Sequence, residues 1–417
     1  MTGTGVLATS GPPRTVLRRA VPSSEPARLA LWGLASAAVA LVHNRLWATP
    51  NLSYFAAISQ RLGERPFGDD PGADYLLTNL GLPSLARLLG QTQPHEYARL
   101  HLVVLVVGLA ACVALAHRRH GYRTARTLTV LLAVAPGVTV SMQWLGQPDA
   151  LTFPLGVALA LVVRRRWLVV LAVLLGLTHP EQAVFIVLAA AVVRAVLDEG
   201  PAVRVAARRA GVDLAAMAVG VAVGRLVTEV YLRVNDITIL RPRSQLLRQG
   251  LDGFVDHHLQ EPAPLLYLLW GPLWLVVGAV LVVVVLRRGQ GVPARRWAVL
   301  GVLAVALLVP VAVTLDETRV HAMLTAPILA GAAVLLARHP GTRVLASARA
   351  AAVLLAVALV VPGGFTAGTS TWSWELPLGE IVPFLVDGDH PGRDAAVGPD
   401  GWLMTPFDFV IPLPAQG

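Results

Sequence analysis

The stretch LVVLVVGLAACVALAHRRHGYR, residues 102–123, indicates the fold class most clearly, because an uncharged apolar run is followed at once by a cluster of arginines. Similar runs recur along the 417 residues, which are 55% hydrophobic and 14% charged. That composition is too apolar for a soluble fold and requires lipid as a solvent. The sequence therefore predicts an all-α, polytopic transmembrane helix bundle in the cytoplasmic (plasma) membrane, crossed in multiple passes.

The number of membrane spans is predicted from the apolar runs, taking about 20 residues as an ordinary span. Eleven runs qualify, so we expect about 11 spans. They lie at 29–47, 98–116, 127–143, 150–163, 167–178, 181–197, 211–232, 264–286, 297–315, 320–337 and 347–362.

The arginines predict the direction in which each span crosses the membrane. All 34 basic residues are arginine, and 22 of them fall in alternate loops, which places those loops and the N-terminus inside and the C-terminus outside. The inside segments are 14–28, 118–126, 164–166, 194–209, 287–296 and 338–349. By the same scheme 21 of the 25 carboxylates lie outside or at outer helix ends. The net charge of +9 is thus explained by helix orientation, and we expect no nucleic-acid partner.

The chain is predicted to have three parts. Residues 1–28 read as a disordered cytoplasmic tail rich in Gly, Pro, Ser and Arg. Residues 29–362 form the transmembrane domain, with outer loops at 48–97 and 233–263, and residues 363–417 form an extracytoplasmic tail. The first run lacks a clean cleavage site and is interpreted as a membrane anchor.

Two outer turns are expected to be recessed in the membrane, because the helices next to them are short. The run at 167–178 would extend about 18 Å as a helix, less than a hydrocarbon core of about 30 Å. The turn that follows it at 178–182, and the turn at 143–149 before another short run, should therefore lie in a water-filled pocket open to the outside.

The first outer loop carries the strongest candidates for chemistry. Asp69 and Asp70 are adjacent, and Asp74 follows. Neighbouring carboxylates can hinder each other's ionisation or share a divalent cation, and either property suits a general base. A divalent cation is the one cofactor that this pair suggests. The alternative is a solvated turn, since Gly-Asp-Asp-Pro-Gly is also good turn chemistry.

Three further outer segments carry ionisable or amide side chains that we predict to bind substrate. Each has a local alternative: Asp149 could cap its helix, Thr178-x-x-Glu181 and Thr314-x-x-Glu317 match a capping box, and Asp316 and Arg319 could simply pair. Ionisable groups in recessed membrane positions nevertheless favour a functional role, and a guanidinium can hold a phosphate bidentately. The candidates are Gln147, Asp149, His179, Glu181, Gln182, Asp316 and Arg319, with Asp74.

These features together resemble the GT-C class of membrane glycosyltransferases. The resemblance rests on Asp69-Asp70 in the first large outer loop, on interfacial helices in that loop, and on the recessed turns at 147–149 and 179–181. It implies sugar transfer, hexosyl or pentosyl, from a polyprenyl-phosphate donor to a lipid or glycan acceptor in the cell envelope, with inversion. It implies Asp69 or Asp70 as the catalytic base and Arg319 at the donor phosphate, with Asp149, His179 and Glu181 lining the sugar pocket.

Two other functions stay open on the sequence alone. A transporter or lipid flippase would have no bond chemistry and should carry ionisable groups deep in a span or broken helices in matching halves. Arg225 and Glu229, spaced for an intrahelical pair, are the main such groups in a span. A non-catalytic scaffold for envelope assembly is the third possibility.

Overall fold

The structure is a computed structural model that describes most of the chain between residues 24 and 412. The described ranges are 24–44, 50–66, 71–198, 203–239, 251–252, 254–260, 262–287, 293–314, 316–361, 363–367, 370–372, 378–388, 402–404 and 410–412. The predicted tail up to residue 23 and the two candidate bases Asp69 and Asp70 lie outside these ranges.

Helices make up nearly all of the described secondary structure. In chain order they are α1 Glu25–Asn44, α2 Pro50–Gln60, α3 Gly81–Leu89, α4 Pro94–His120, α5 Tyr122–Ala133, α6 Pro136–Gln143, α7 Asp149–Leu161, α8 Arg165–Thr178, α9 Pro180–Leu197, α10 Val203–Val234, α11 Pro262–Trp270, α12 Trp274–Leu286, α13 Ala294–Ala306, α14 Leu308–Val311, α15 Glu317–Arg338, α16 Ala348–Ala358 and α17 Leu378–Asp387. Short 3₁₀ helices cover Pro71–Thr78 and Gly271–Leu273, and a π-helix covers Phe254–His258.

The strands are short and confined to the C-terminal part. Phe365–Ala367 (β1) pairs antiparallel with Ser370–Trp372 (β2), and Trp402–Met404 (β3) pairs antiparallel with Val410–Pro412 (β4). The registers are Phe365 opposite Trp372 and Trp402 opposite Pro412. Neither ribbon was expected from the sequence, and the membrane part remains helical.

The all-helical, polytopic membrane class is confirmed. Within the described residues, seven helices are long and apolar enough to cross a membrane, or eight if α5 and α6, bent by 47° where Pro136 interrupts them, count as one span. The expected total of about 11 stays a prediction. Three predicted spans correspond to α7, α8 and α16, which at about 1.5 Å per residue are about 17 to 21 Å long and too short to cross alone.

Helix α15 is the centre of the bundle. Its most apolar window is 94% buried, against 17% to 56% for the other six candidate spans. It packs against α5, α6, α7 and α9, while many leucines and valines of the other spans face outward, as lipid contact requires. Polar residues on α15 are therefore held inside protein.

Helices α8 and α10 approach closely through glycines. A Cβ on Gly220 would lie 2.5 Å from the carbonyl oxygen of Val169, and one on Gly224 would collide with the carbonyl oxygen of Val173. The two glycines are four residues apart, the small-x-x-x-small spacing that brings membrane helices into backbone contact. The short α8 is thus fixed by packing on the longer α10.

Arginines gather at one end of the bundle, here called the Arg338 end, where α15 finishes. Arg194 donates to Asp213 at 2.7 Å, Arg165 lies 3.1 Å from the same carboxylate, and Arg119 donates to the carbonyl of Leu161. These contacts tie together the loops that the sequence placed inside. The orientation, with this end toward the cytoplasm, stays the prediction made from the arginines.

The opposite end, here called the Arg319 end, is covered by the first loop. A Cβ on Gly146 would lie 2.8 Å from Cα of Leu52 on α2, and one on Gly81 at the start of α3 would collide with the hydroxyl of Thr178. Both recessed turns therefore lie directly beneath the first loop. The C-terminal part also reaches this end, because Gly363 lies against His43 at the end of α1.

Candidate functional site

A buried guanidinium, that of Arg319, connects three separate parts of the chain. Its Nε donates to Oδ2 of Asp149 at 2.6 Å, and its Nη1 donates to Oδ2 of Asp316 at 2.8 Å. Its Nη2 lies 3.2 Å from Nε2 of His179. The Arg319 side chain is 7% exposed and that of Asp149 is fully buried, whereas the side chain of Asp316 is 32% exposed. We call these four residues the Arg319 cluster.

The hydrogen bonds fix the protonation of His179. A guanidinium has five N–H donors and no acceptor, so Nε2 of His179 must accept. The imidazole is therefore neutral, with its proton on Nδ1. The face of the guanidinium lies 5.5 Å from the centre of the Trp144 ring, a cation–π contact. Three N–H groups of Arg319 are used in the cluster, and the other two have no acceptor among the described residues.

The local sequence explains how each acceptor reaches Arg319. Pro180 begins α9 and disfavours the helical conformation in the residue before it, so His179 breaks the chain between α8 and α9 with φ −152° and ψ 71°. Asp149 follows Pro148 as the first residue of α7, where the helix dipole favours a negative charge. Asp316 lies just before α15, one turn from Arg319.

The capping explanations for these residues are wrong. Asp149 does not cap α7, because Pro148 occupies the N-cap position and Asp149 pairs with Arg319 instead. Neither capping box forms either: the hydroxyl of Thr178 donates to the carbonyl of Leu174, and that of Thr314 donates to the carbonyl of Val311. The N-caps of α9 and α15 are His179 and Asp316, and neither makes a capping side-chain hydrogen bond. The expected Asp316–Arg319 pair does form.

A second polar group adjoins the cluster on α15, and sequence reasoning missed it. Oε1 of Glu317, two residues before Arg319, lies 3.4 Å from Nε2 of His258, and both side chains are buried. His321, one turn further along α15, is also buried and lies edge-on to Trp270 with ring centres 5.2 Å apart. The spacing of Glu317 and His321 on one helix face was the available signal, but the capping-box pattern had already accounted for Glu317.

The predicted amide and acidic residues divide into buried and exposed positions. Gln147 and Gln182 are buried, and the amide oxygens of both, with the amide nitrogen of Gln147, have no hydrogen-bond partner among the described residues. Such buried amides call for a ligand or a water. Glu181, by contrast, is exposed at the first turn of α9 and is not part of the buried cluster.

The first loop approaches the cluster through its 3₁₀ helix. Asp74 is fully buried there and accepts from Nε of Arg65 at 2.7 Å, so its carboxylate is held within the loop. The next residue, Tyr75, lies near Arg319. Asp69 and Asp70 precede this helix, outside the described residues. Among the residues that the structure describes, no three His, Cys, Asp or Glu side chains are grouped so that they could hold a metal ion.

The arrangement provides a buried positive group with spare donors, a neutral imidazole and nearby amides, all beneath a loop. That combination suits an anionic ligand that also carries hydroxyl groups. No family model, curated protein or solved structure matches this chain.

Proposed function

We propose that the protein is a membrane glycosyltransferase that moves a sugar from a polyprenyl-phosphate donor to a lipid or glycan acceptor at the outer face of the cytoplasmic membrane. The observation that carries the proposal is the Arg319 cluster, a buried guanidinium beneath the first loop with two N–H groups that have no acceptor in the described part of the chain. A phosphate ester, like a carboxylate, matches the geometry of the guanidinium fork.

The proposed reaction is a single displacement at the anomeric carbon. The acceptor hydroxyl oxygen forms a bond to that carbon while the bond from the carbon to the phosphate oxygen breaks, and polyprenyl phosphate leaves. Asp69 or Asp70 takes the hydroxyl proton, and because the acceptor attacks opposite the leaving phosphate, the configuration inverts. Arg319 stabilises the charge on the leaving phosphate, since charge-assisted donors in a buried site act most strongly there.

The other cluster residues are assigned to binding and positioning. Asp149 and His179 hold the guanidinium in place through two of its nitrogens. Gln147 and Gln182, whose buried amides lack partners among the described residues, would hydrogen-bond sugar hydroxyls. Asp316 is the one acceptor of the cluster that is substantially exposed, so an incoming phosphate would displace it first.

The test is sugar transfer by the purified protein from polyprenyl-phosphate donors. Asp69→Asn and Asp70→Asn are compared with Glu64→Gln, an exposed carboxylate in the same loop. We expect one aspartate variant to lose at least about a hundredfold in turnover, the usual range for general-base catalysis, and the glutamate variant to retain it. Unchanged turnover in both aspartate variants would remove the proposed base.

One observation favours a second function, that of a lipid flippase or transporter. Helices α5 and α6 form a broken segment bent by 47°, and discontinuous helices are typical of transport proteins. A flippase would move a labelled polyprenyl-phosphate sugar across a proteoliposome membrane without cleaving the sugar–phosphate bond. Intact lipid recovered on the far side, with no transferred sugar, would favour this alternative.

A further inference from the structure

A large cavity lies at the Arg338 end of the bundle, far from the Arg319 cluster. Its volume is about 790 Å³, in the range of small-molecule sites. Arg319 and Arg338 lie 19 residues apart on the same helix, α15, which separates the two places by about 28 Å. The cavity is therefore not part of the candidate active site, and any ligand that it binds is independent of the proposed function.

The wall of this cavity is strongly positive. Four guanidinium groups line it, those of Arg123, Arg126, Arg338 and Arg343. Among the described residues, the one carboxylate on the wall belongs to Glu25 at the start of α1, which is more than half exposed and lies 3.6 Å from His117. In the described part of the chain, four arginines and one carboxylate therefore line this wall.

A neighbouring cavity of about 370 Å³ gives a useful contrast. Arginines line it as well, but two carboxylates pair with them. Arg194 lies 2.7 Å from Asp213, and Arg209 lies 3.1 Å from Asp198. Of the residues that the structure describes, four arginines and two carboxylates line the smaller cavity, whereas four arginines and one carboxylate line the larger one, with Arg338 on the wall of both. The excess of arginine over carboxylate is therefore greater in the larger cavity.

One arginine of the larger cavity is held in a fixed position. The guanidinium of Arg126 lies 5.6 Å from the ring centre of Tyr122 and 5.8 Å from that of Trp32, and it donates to the carbonyl of Ala346. A long side chain that is already ordered before binding loses less conformational entropy when a ligand binds. Its Nε is buried without a hydrogen-bond partner among the described residues, and Arg126 lines the cavity.

Two helices begin at the cavity wall. Helix α5 starts at Tyr122 with no side-chain cap, directly after α4 ends at His120, and α16 starts at Ala348, where the hydroxyl of Ser347 accepts from the N–H of Ala350. First-turn N–H groups bind anions well. Helix α15 ends there as well, and the carbonyl of Leu335 in its last turn accepts from the hydroxyl of Thr342 at 3.0 Å.

We propose that this cavity binds a phosphate ester group, as the headgroup of an anionic membrane lipid or as a soluble phosphate compound. Basic pockets between membrane helices are known sites for anionic headgroups. A lipid is the source that the surroundings favour, because Val344 on the wall is exposed and Leu31 and Leu34 of α1 face outward nearby in the chain.

The test measures binding to the purified full-length protein in a neutral detergent. The probes are short-chain phosphatidylglycerol, short-chain phosphatidylcholine, glycerol 3-phosphate and inorganic phosphate. The double variant Arg123→Gln/Arg343→Gln is compared with Arg118→Gln. All three side chains are exposed, so none of the changes disturbs the core, and Arg118 is at the same end but outside the cavity wall.

We expect phosphatidylglycerol to bind and phosphatidylcholine not to bind. The double variant should weaken phosphatidylglycerol about tenfold or more, the effect of losing one or two charge-assisted hydrogen bonds, and Arg118→Gln should leave it unchanged. Equal binding of glycerol 3-phosphate would support the site and identify a soluble ligand. Absence of binding by every probe, or equal loss in the double variant and in Arg118→Gln, would overturn the proposal.

Discussion

Replacing Asp149 by Asn tests whether the Arg319 cluster is a coupled, buried ion-pair network. The change keeps the side-chain volume and removes the charge. Of the described residues, it leaves the 7%-exposed guanidinium with one paired carboxylate, that of the partly exposed Asp316. Removing one member of a buried pair costs about 3–5 kcal/mol, because the other charge stays buried without compensation. Asp316→Asn removes a partly solvated charge and should cost about 1 kcal/mol or less.

The coupling is measured by a double-mutant cycle of Asp149→Asn and Arg319→Met. Each single change strands a buried charge, whereas the double change removes both charges of the 2.6 Å contact. We therefore expect the double variant to lose less free energy of unfolding than the two single variants lose together, by about 2–3 kcal/mol. The free energy of unfolding is obtained by titrating the protein in mixed micelles with dodecyl sulfate and following helicity by circular dichroism.

Two results would contradict this prediction. One is that Asp149→Asn lowers the free energy of unfolding no more than Asp316→Asn does, which would mean that the carboxylate of Asp149 is solvated. The other is a coupling energy near zero, which would mean that Asp149 and Arg319 do not interact in the folded protein. Either result would also weaken the proposed active site, which depends on this contact.

Other perturbations test the packing and the orientation. Gly224→Ala should lower the free energy of unfolding by about 1–3 kcal/mol because its Cβ collides with the facing backbone of α8, whereas Gly278→Ala, with open space around it, should be neutral. Asp213→Asn strands the two arginines that pair with it and should cost about 2 kcal/mol in the same assay. Cysteine at position 64, in a predicted outer loop, should react with an impermeant thiol reagent added outside cells, and cysteine at position 118, in a predicted inner segment, should not. The single native cysteine is buried and should give little background labelling. The opposite pattern would invert the topology.

Much of the helical architecture is predictable from the apolar runs alone, because a bilayer leaves a buried backbone few options besides the helix. The turn at His179 is also predictable, since proline restricts the residue before it. The start of α4 is less predictable from the apolar run. The helix begins at Pro94, four residues before that run, because Gln93 and Glu96 form a capping box there. Polar residues at a helix start extend it beyond what hydropathy detects.

The partners of Arg319 are the part that the sequence does not determine. Asp149 lies 170 residues away and His179 lies 140 residues away, so their contacts depend on how the helices pack. The distribution of arginines predicts that these residues lie on the same side of the membrane. It does not predict which side chains are in contact. Local patterns misled in the same region, because a capping box needs just two residues and matches by chance where tertiary contacts prevail.

The cluster is difficult to explain as a stabilising device. Buried ion pairs often contribute no more to stability than well-packed apolar residues of similar volume, because both charges must lose their hydration. Here the cost is higher, since Gln147 and Gln182 add buried amide groups that lack partners among the described residues. Polar groups so placed, on three helix starts beneath one loop, are better explained by a ligand that supplies the missing hydrogen bonds. A phosphate-linked sugar offers both the anion that Arg319 can still bind and the hydroxyls that the amides require.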